Sequence, residues 1–255
     1  MYITGDWPGV TLVRATYNGA HPFAASQKTN IGVSNLTVYG DGNTPESDGC
    51  KIYACTNAVI DNVVAHDLYE GIACYSNIGS RVTNCTAYNC SNVGIDLSTS
   101  YLTLQAGVNN VATNCEAYAC TFGLEADGYY DTTPRKRCNG SSFVNCNAHD
   151  NRSFGFRFNY ADNAQMTDCT ATNNGTAASG AHYNVYLCGV INDGDGVTGD
   201  AWGIVPAAGT GCTIHNTTYG GGGVLAATIQ TASTPSDGVG YFYYHYCASS
   251  GIVVN

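Results

Sequence analysis

The chain has 255 residues, of which 11% are charged and 31 are glycine, and its formal net charge at neutral pH is −10. This length suits one domain with a continuous core. The negative charge argues against nucleic acid or an anionic membrane as the main partner, because both are themselves negative. No stretch approaches the ~20 apolar residues of a membrane span, and residues 1–20 lack the basic start and apolar run of a signal peptide.

The first predicted strand covers residues 9–14, and the next two cover residues 35–39 and 49–53. A solenoid needs a cap at each end to cover its terminal core. No amphipathic helix precedes residue 9, so we expect the chain to be a piece of a longer protein.

A repeat organises residues 59–173. Each copy carries Asn or Asp, then Cys or Val, then an alanine two residues further on. The aligned alanines are Ala65, Ala87, Ala117, Ala148 and Ala171, at steps of 22, 30, 31 and 23 residues. The first four copies are followed by a glycine and a short apolar alternation, at 71–74, 94–97, 123–126 and 155–158. A period in the low twenties predicts a solenoid, and alternation with period two predicts strands.

This motif, Asn-Cys/Val-x-Ala-Tyr/His followed by Gly-Ile/Phe-x-Leu/Phe, resembles the right-handed parallel β-helix of the pectate-lyase superfamily over roughly residues 30–190. The resemblance implies an all-β, single-stranded right-handed parallel β-helix of about eight or nine rungs. Residues 1–255 would form one domain, with 192–255 as irregular final rungs. The superfamily includes polysaccharide lyases, uronan epimerases, glycosidases and phage tailspikes, so the fold alone does not select a chemistry.

Several repeat positions are predicted to be architectural. Four of the 13 cysteines, Cys85, Cys115, Cys146 and Cys169, share one position and are expected to form an inward column of free thiols. His66 and His149 share the column of Tyr88 and Tyr118. The predicted turn ladder, whose amides bond up and down the stack, contains Asn62, Asn84, Asn114, Asn145 and Asp168.

Two long insertions, 98–110 and 128–142, both follow the glycine-led strand. They should therefore rise beside the same stack of strands and form one wall of a cleft. The residues predicted to bind substrate are Lys51, Tyr75, Tyr101, Tyr129, Tyr130, Arg135, Lys136, Arg137 and Asn159. The tyrosines would offer faces to sugar rings, and the basic run 135–137 would attract an acidic glycan.

Alternation predicts which side chains of these strands point outward. The exposed column is predicted to contain Lys51, Ala73, Asp96, Glu125 and Arg157, with Tyr53, Tyr75, Ser98, Asp127 and Asn159 beside it. Stacking in register places Asp96, Glu125 and Arg157 about 5 Å apart from rung to rung. Three carboxylates on two rungs repel one another unless a cation or a shared proton intervenes. Glu125 and Arg157 could also form an ordinary surface ion pair.

Two catalytic roles fit this column. In the first, Asp96, Glu125 and Asp127 hold calcium through oxygen ligands. The ion would acidify the proton alpha to a uronate carboxylate, and Arg157 or Lys51 would remove that proton for β-elimination. This layout looks like pectate lyase, where acidic residues on adjacent rungs bind calcium and an arginine acts as base.

In the second role, Asp96 with Glu125 or Asp127 serves as the carboxyl pair of a glycoside hydrolase. The competing interpretation is a non-catalytic glycan-binding adhesion or structural module of a phage tail or cell surface. We expect a polysaccharide partner and an extracellular or virion-associated setting. Residues 241–246 are aromatic on both faces of a predicted strand, which suggests contact with another subunit or with a further part of a longer chain. Resemblance to tailspikes adds a possible homotrimer.

Overall fold

A computed structural model describes residues 1–174, except 18, 43–45, 101, 103–104, 129–137, 160 and 163. It also describes the strand segments 183–188, 212–215, 218–219, 241–245 and 252–254. Strands and turns make up this part of the chain, in which no helix is long and apolar enough to cross a membrane.

Two long parallel sheets form the sides of a solenoid. Sheet A contains β1 (Tyr2–Thr4), β2 (Leu12–Arg14), β4 (Gly32–Tyr39), β6 (Val59–His66), β8 (Arg81–Thr83), β9 (Thr86–Tyr88), β11 (Val111–Thr113), β12 (Glu116–Tyr118), β15 (Ser142–Val144), β16 (Asn147–His149), β19 (Gln165–Thr167), β20 (Thr170–Thr172), β22 (Cys212–His215), β23 (Thr218–Tyr219) and β25 (Ile252–Val254). Sheet B contains β3 (Phe23–Ser26), β5 (Asp48–Tyr53), β7 (Glu70–Tyr75), β10 (Val93–Asp96), β13 (Phe122–Asp127), β17 (Phe154–Asn159), β21 (Tyr183–Cys188) and β24 (Tyr241–His245). A small third sheet pairs β14 (Cys138–Asn139) with β18 (Ala161–Asp162).

Each strand of sheet B lies beside the strand one repeat later, as the repeat predicts. The solenoid makes about six turns, which only roughly matches the eight or nine rungs predicted. At the N-terminal end the predicted strand 9–14 is shorter than expected, since β2 begins at Leu12, and β1 precedes it. At the other end the predicted aromatic strand is present as β24. The prediction of a single domain stays untested.

The glycine that opens each repeat lies where the chain enters sheet B. A Cβ atom at Gly71 would lie 2.6 Å from the carbonyl oxygen of Gly94 and 2.9 Å from the Cβ of Ala87. At Gly123 it would lie 2.4 Å from the carbonyl oxygen of Gly155. No side chain fits at these distances, so the stack requires glycine here.

The predicted turn ladder is present on the solenoid edge. Asn84, Asn114 and Asn145 have φ values of 54°, 54° and 49°, the left-handed conformation that asparagine tolerates better than most residues. Asn145 donates to Asn114 at 2.8 Å, and Asn114 donates to Asn84 at 3.2 Å. The ladder then departs from the prediction, because Asn84 donates to Asp61 and not to Asn62.

The interior contains the predicted column of buried free thiols, Cys85, Cys115, Cys146 and Cys169. It also contains buried asparagines that the sequence analysis missed. Asn77 and Asn110 are fully buried. Asn77 donates to the carbonyl of Ile52 at 2.9 Å and accepts from the backbone N–H of Cys55 at 2.7 Å. These side chains therefore satisfy backbone groups of the neighbouring rung where the strands bend.

Candidate functional site

A pocket of about 390 Å³ opens on the outer face of sheet B, and we call it the central pocket. It is lined by Lys51, Tyr53, Glu70, Tyr75, Asn92, Val93, Asp96, Ser98, Thr99, Ser100, Leu102, Glu125, Asp127, Gly128 and Arg157. Four of these side chains are carboxylic acids and two are cations. The pocket therefore concentrates charge on one face of a chain in which charged residues are scarce.

The predicted column of outward residues is confirmed in its register. Asp96 lies beside Glu125, and Glu125 lies beside Arg157 on the next strand. On the N-terminal side, Ala73 separates Asp96 from Lys51. The stack therefore brings all three predicted carboxylates and both predicted cations into one pocket.

The prediction that this column is exposed was wrong. Asp96 retains 3% of its accessible surface and Glu125 retains 2%, although both line the pocket. Ser98, Thr99 and Gly128, which follow β10 and β13, rise beside them as pocket lining. Alternation gives the direction of a side chain, but it does not show what the next segment places over it.

Arg157 is the cation that intervenes between the carboxylates. Its Nη2 donates to Glu125 Oε1 and, at 3.1 Å, to Asp127 Oδ2, and its guanidinium lies 4.2 Å from the ring centroid of Phe122. The ion pair between Arg157 and Glu125 is therefore largely buried, whereas the sequence analysis considered an ion pair on the surface. Burial opposes the charge, but Glu125 and Asp127 outweigh it and raise the pKa of Arg157. A guanidinium held protonated in this way is a poor general base.

Asp96 lies beside this ion pair and not within it. The hydroxyl of Ser98 donates to its Oδ1. Burial, followed by the negative charges of Glu125 and Glu70, raises the pKa of Asp96 well above its ordinary value. This surrounding therefore favours the protonated form of the Asp96 carboxyl group.

Glu70 is a pocket residue that the sequence analysis missed. Its Oε1 accepts from Asn92 at 2.8 Å, and its Oε2 accepts from the hydroxyl of Tyr75. Burial, then the charge of Asp48, raises the pKa of Glu70 to about 7. The period-two alternation begins after Gly71, so it assigned no direction to the residue before this glycine. The sequence did contain a signal, because Glu70 is an acidic residue immediately before the glycine that recurs in each repeat.

The N-terminal end of the pocket holds a second charged cluster. Lys51 Nζ lies 2.8 Å from Asp48 Oδ2 and 3.3 Å from His21 Nε2. The same ammonium lies 5.8 Å from the ring centroid of Tyr75. Lys51 is therefore engaged by an acid of its own rung, while its side chain still reaches the pocket.

The calcium site stays a prediction, and the contacts do not favour it. Calcium requires six to eight oxygen ligands around one point. Here the guanidinium of Arg157 occupies the position between Glu125 and Asp127. Across the described residues, no group of three His, Cys, Asp or Glu is arranged to hold a metal ion.

Part of the predicted binding surface lies outside the described residues. This applies to Tyr101, Tyr129, Tyr130, Arg135, Lys136 and Arg137. Asn159 is in register with Asp127 on the neighbouring strand, but its side chain is outside the description. The structure places Lys51 and Tyr75 in the pocket as predicted. Their roles in binding stay predictions.

The outer face of sheet A differs from this pocket. It carries the predicted column of aromatic rings, in which His66, Tyr88, Tyr118 and His149 stack nearly parallel. Successive ring centroids are 4.7, 5.1 and 5.0 Å apart. This column repeats one kind of side chain, and we treat it as architecture.

The family model described as "Right handed beta helix region" matches residues 25–228. Among solved structures, the chain is similar to the A-modules of two Azotobacter vinelandii mannuronan C-5 epimerases. For AlgE4 the identity is 15% and the TM-score 0.52, covering 100% of this chain and 79% of that one. For AlgE6 the values are 17%, 0.48, 100% and 82%.

Pectate lyase Pel9A is 14% identical, with a TM-score of 0.48, over 85% of this chain and 68% of that one. A comparison with curated proteins returns no match. Identities this low do not establish an activity. The match of the family model over most of the sequence, together with the parallel solenoid, shows that this chain belongs to the right-handed β-helix family.

Proposed function

We propose that the central pocket binds a polysaccharide and that the chain cleaves a glycosidic bond there by carboxyl catalysis. One observation carries the proposal. Asp96 and Glu125 are adjacent in register and line the same pocket, but their surroundings differ. Paired carboxyl groups whose environments separate their protonation states are the usual acid and base of glycoside cleavage.

Asp96 is suited to be the proton donor. Burial and the neighbouring negative charges raise its pKa, which favours the protonated form. It could transfer that proton to the leaving oxygen of a glycosidic bond. The hydrogen bond from Ser98 fixes the orientation of the carboxyl group.

Glu125 is suited to be the second carboxyl group. Its Oε1 is paired with Arg157, and its Oε2 has no hydrogen-bond partner among the described residues. A buried carboxylate oxygen left without a partner is costly unless a ligand or water satisfies it. We assign this oxygen to the attack on the sugar, either directly or through a water molecule. Arg157 then acts as a positioning residue that holds Glu125, in place of the base role predicted from the sequence.

The remaining lining residues suit a sugar polymer. Tyr53 and Tyr75 present rings, and Asn92 and Ser100 present hydrogen-bonding groups. Lys51 and Arg157 place two cations among the carboxyl groups of the lining. Burial also raises the pKa values of Asp96 and Glu70 and so favours their neutral forms. Both features favour an acidic polysaccharide despite the negative net charge of the chain.

The proposal is tested on a panel of acidic and neutral polysaccharides, by measuring new reducing ends and the absorbance of unsaturated uronates. We expect reducing ends without the absorbance, no effect of a chelator, and loss of turnover in Glu125→Gln. Glu116→Gln is the matched control, because Glu116 lies on the outer face of sheet A, away from the pocket.

Other outcomes redirect the proposal. Absorbance that a chelator abolishes would contradict hydrolysis and support the calcium-assisted β-elimination predicted from the sequence. Glycan binding without any product would support the non-catalytic module. The ion pairs of Arg157 with Glu125 and Asp127 are compatible with that function too, because they engage these side chains within the protein. The homotrimer and the extracellular or virion-associated setting remain predictions.

A further inference from the structure

A second pocket adjoins the central pocket on its N-terminal side, and we call it the outer pocket. Its volume is about 570 Å³. It is lined by Gln27, Lys28, Thr29, Tyr53, Ala54, Thr56, Leu102 and Gln105. Tyr53 and Leu102 line both pockets. The two pockets therefore form one groove that runs along the solenoid axis, with these two side chains at the junction.

The outer pocket differs from the central pocket in charge. Its described lining contains amides, hydroxyls and one cation, Lys28, and no carboxylate. In the part of the chain that the structure describes, Lys28 has no carboxylate partner, whereas Lys51 is paired with Asp48. The side chain of Lys28 is exposed at the rim. An unpaired cation in a polar pocket without acids favours a negatively charged group.

The backbone that carries Lys28 is fixed by the neighbouring rung. Its N–H donates to Cys55 Sγ at 3.3 Å, and its carbonyl accepts from the N–H of Thr56 at 2.8 Å. Thr29 forms a parallel bridge with Thr56. The floor of the outer pocket is thus part of the rigid stack, which limits the entropy lost when a ligand is bound.

We infer that the outer pocket is a subsite for a carboxylated sugar unit, and that Lys28 binds the carboxylate of that unit. The inference rests on the polysaccharide binding proposed above and makes the substrate an acidic polysaccharide. The polymer would extend from the central pocket across Tyr53 toward the N-terminal end. Gln27, Gln105 and Thr56 would supply hydrogen bonds to sugar hydroxyls.

The test measures binding separately from cleavage. In the full chain carrying Asp96→Asn, calorimetry compares the di-, tetra- and hexasaccharides of galacturonate and of mannuronate with their carboxyl-reduced, neutral counterparts. We expect affinity to rise with length for the acidic series. Adding Lys28→Gln should reduce affinity for the longer acidic oligosaccharides by about fivefold, since one solvated ion pair contributes about 1 kcal/mol. The disaccharide should be unaffected.

Arg81→Gln is the matched control, because Arg81 is an exposed cation on sheet A and lines neither pocket. A gain with length that survives Lys28→Gln would overturn the subsite and leave the central pocket as proposed. An equal gain for the neutral series would overturn the role of charge. Failure of every oligosaccharide to bind would overturn the subsite together with the proposed polysaccharide binding. Normal binding by the Asp96→Asn chain, together with a wild-type chain that cleaves none of these oligosaccharides, would overturn only the proposed catalysis.

Discussion

The two outer faces of the solenoid are both built from parallel strands stacked one repeat apart, but their side chains differ. On sheet A, one outward column keeps the same kind of side chain from rung to rung, as in the stacked rings of Tyr88 and Tyr118. On sheet B, the identity changes at every rung, from Ala73 to Asp96 to Glu125. Like rings stack on one another along the solenoid axis. On sheet B, side chains that differ in size and charge lie next to one another and line a pocket. A change of side chain from rung to rung therefore marks the candidate site.

The largest expected effect is on turnover at the varied face. Asp96→Asn removes the proposed proton donor, so we expect kcat to fall about 100- to 10,000-fold. Burial raises the pKa of Asp96, so the folded state favours its neutral form. The neutral amide should therefore not lower the free energy of unfolding at pH 7. Reducing-end assays and urea unfolding measure the two quantities.

The control for that experiment is Asp61→Asn on the repeated face, where Asp61 accepts hydrogen bonds from Thr83 and Asn84. It should leave kcat within twofold. Equal losses of turnover in both variants would remove the functional distinction between the two faces.

The pH dependence of stability gives the second effect. Burial, then Asp48, raises the pKa of Glu70 from 4.5 to about 7. The folded chain thus retains a proton that the unfolded chain releases above pH 4.5. The stabilisation is complete below pH 4.5 and is lost as the pH rises through about 7, by on the order of 3 kcal/mol.

Glu70→Gln should flatten this part of the profile, measured by urea unfolding between pH 4 and pH 8. Stability should still fall somewhat as the pH rises in this variant, since burial also raises the pKa values of Asp48 and Asp96. Glu116→Gln, on the repeated face, should leave the slope intact. An unchanged slope in Glu70→Gln would contradict the burial of this carboxyl group.

The third effect concerns the stability contributed by the buried asparagines, whose side chains bond backbone groups of the neighbouring rung. Asn77→Ala leaves the backbone N–H of Cys55 and the carbonyl of Ile52 without their buried partner. We expect a loss of about 2 kcal/mol in the free energy of unfolding. Thr113→Ala, on the outer face of β11, is the control and should change it by less than about 0.5 kcal/mol. Similar losses for both would show that the hydrogen bonds of the buried Asn77 have no special role in stability.

The smallest effect concerns the aromatic column. Tyr118→Ala removes stacking with Tyr88 and His149, so we expect a loss of about 1 kcal/mol in stability. Thermal unfolding measures this loss, and polysaccharide affinity should stay unchanged. A marked loss of affinity would move the binding surface to sheet A and reverse the comparison between the faces.

The fold and the register of the site were predictable from the sequence because the repeat is local. Each alanine and glycine marks one rung, and stacking then pairs Asp96 with Glu125 and Glu125 with Arg157. The burial of these groups was not predictable, since it depends on segments that follow the strands. Glu70 was missed because the period-two alternation was assigned only after Gly71 and gave no direction to the residue before this glycine. Asn77 was missed because asparagine in a repeat suggests turns, not interior hydrogen bonds.

The most direct test of the account compares turnover by Glu125→Gln and Glu116→Gln on the polysaccharide that wild-type chain cleaves fastest. These variants make the same chemical change on the two faces of the solenoid. The account predicts that Glu125→Gln loses at least about 100-fold in kcat while Glu116→Gln matches wild type. Full turnover in a folded Glu125→Gln chain would contradict the assignment of the central pocket as the catalytic site.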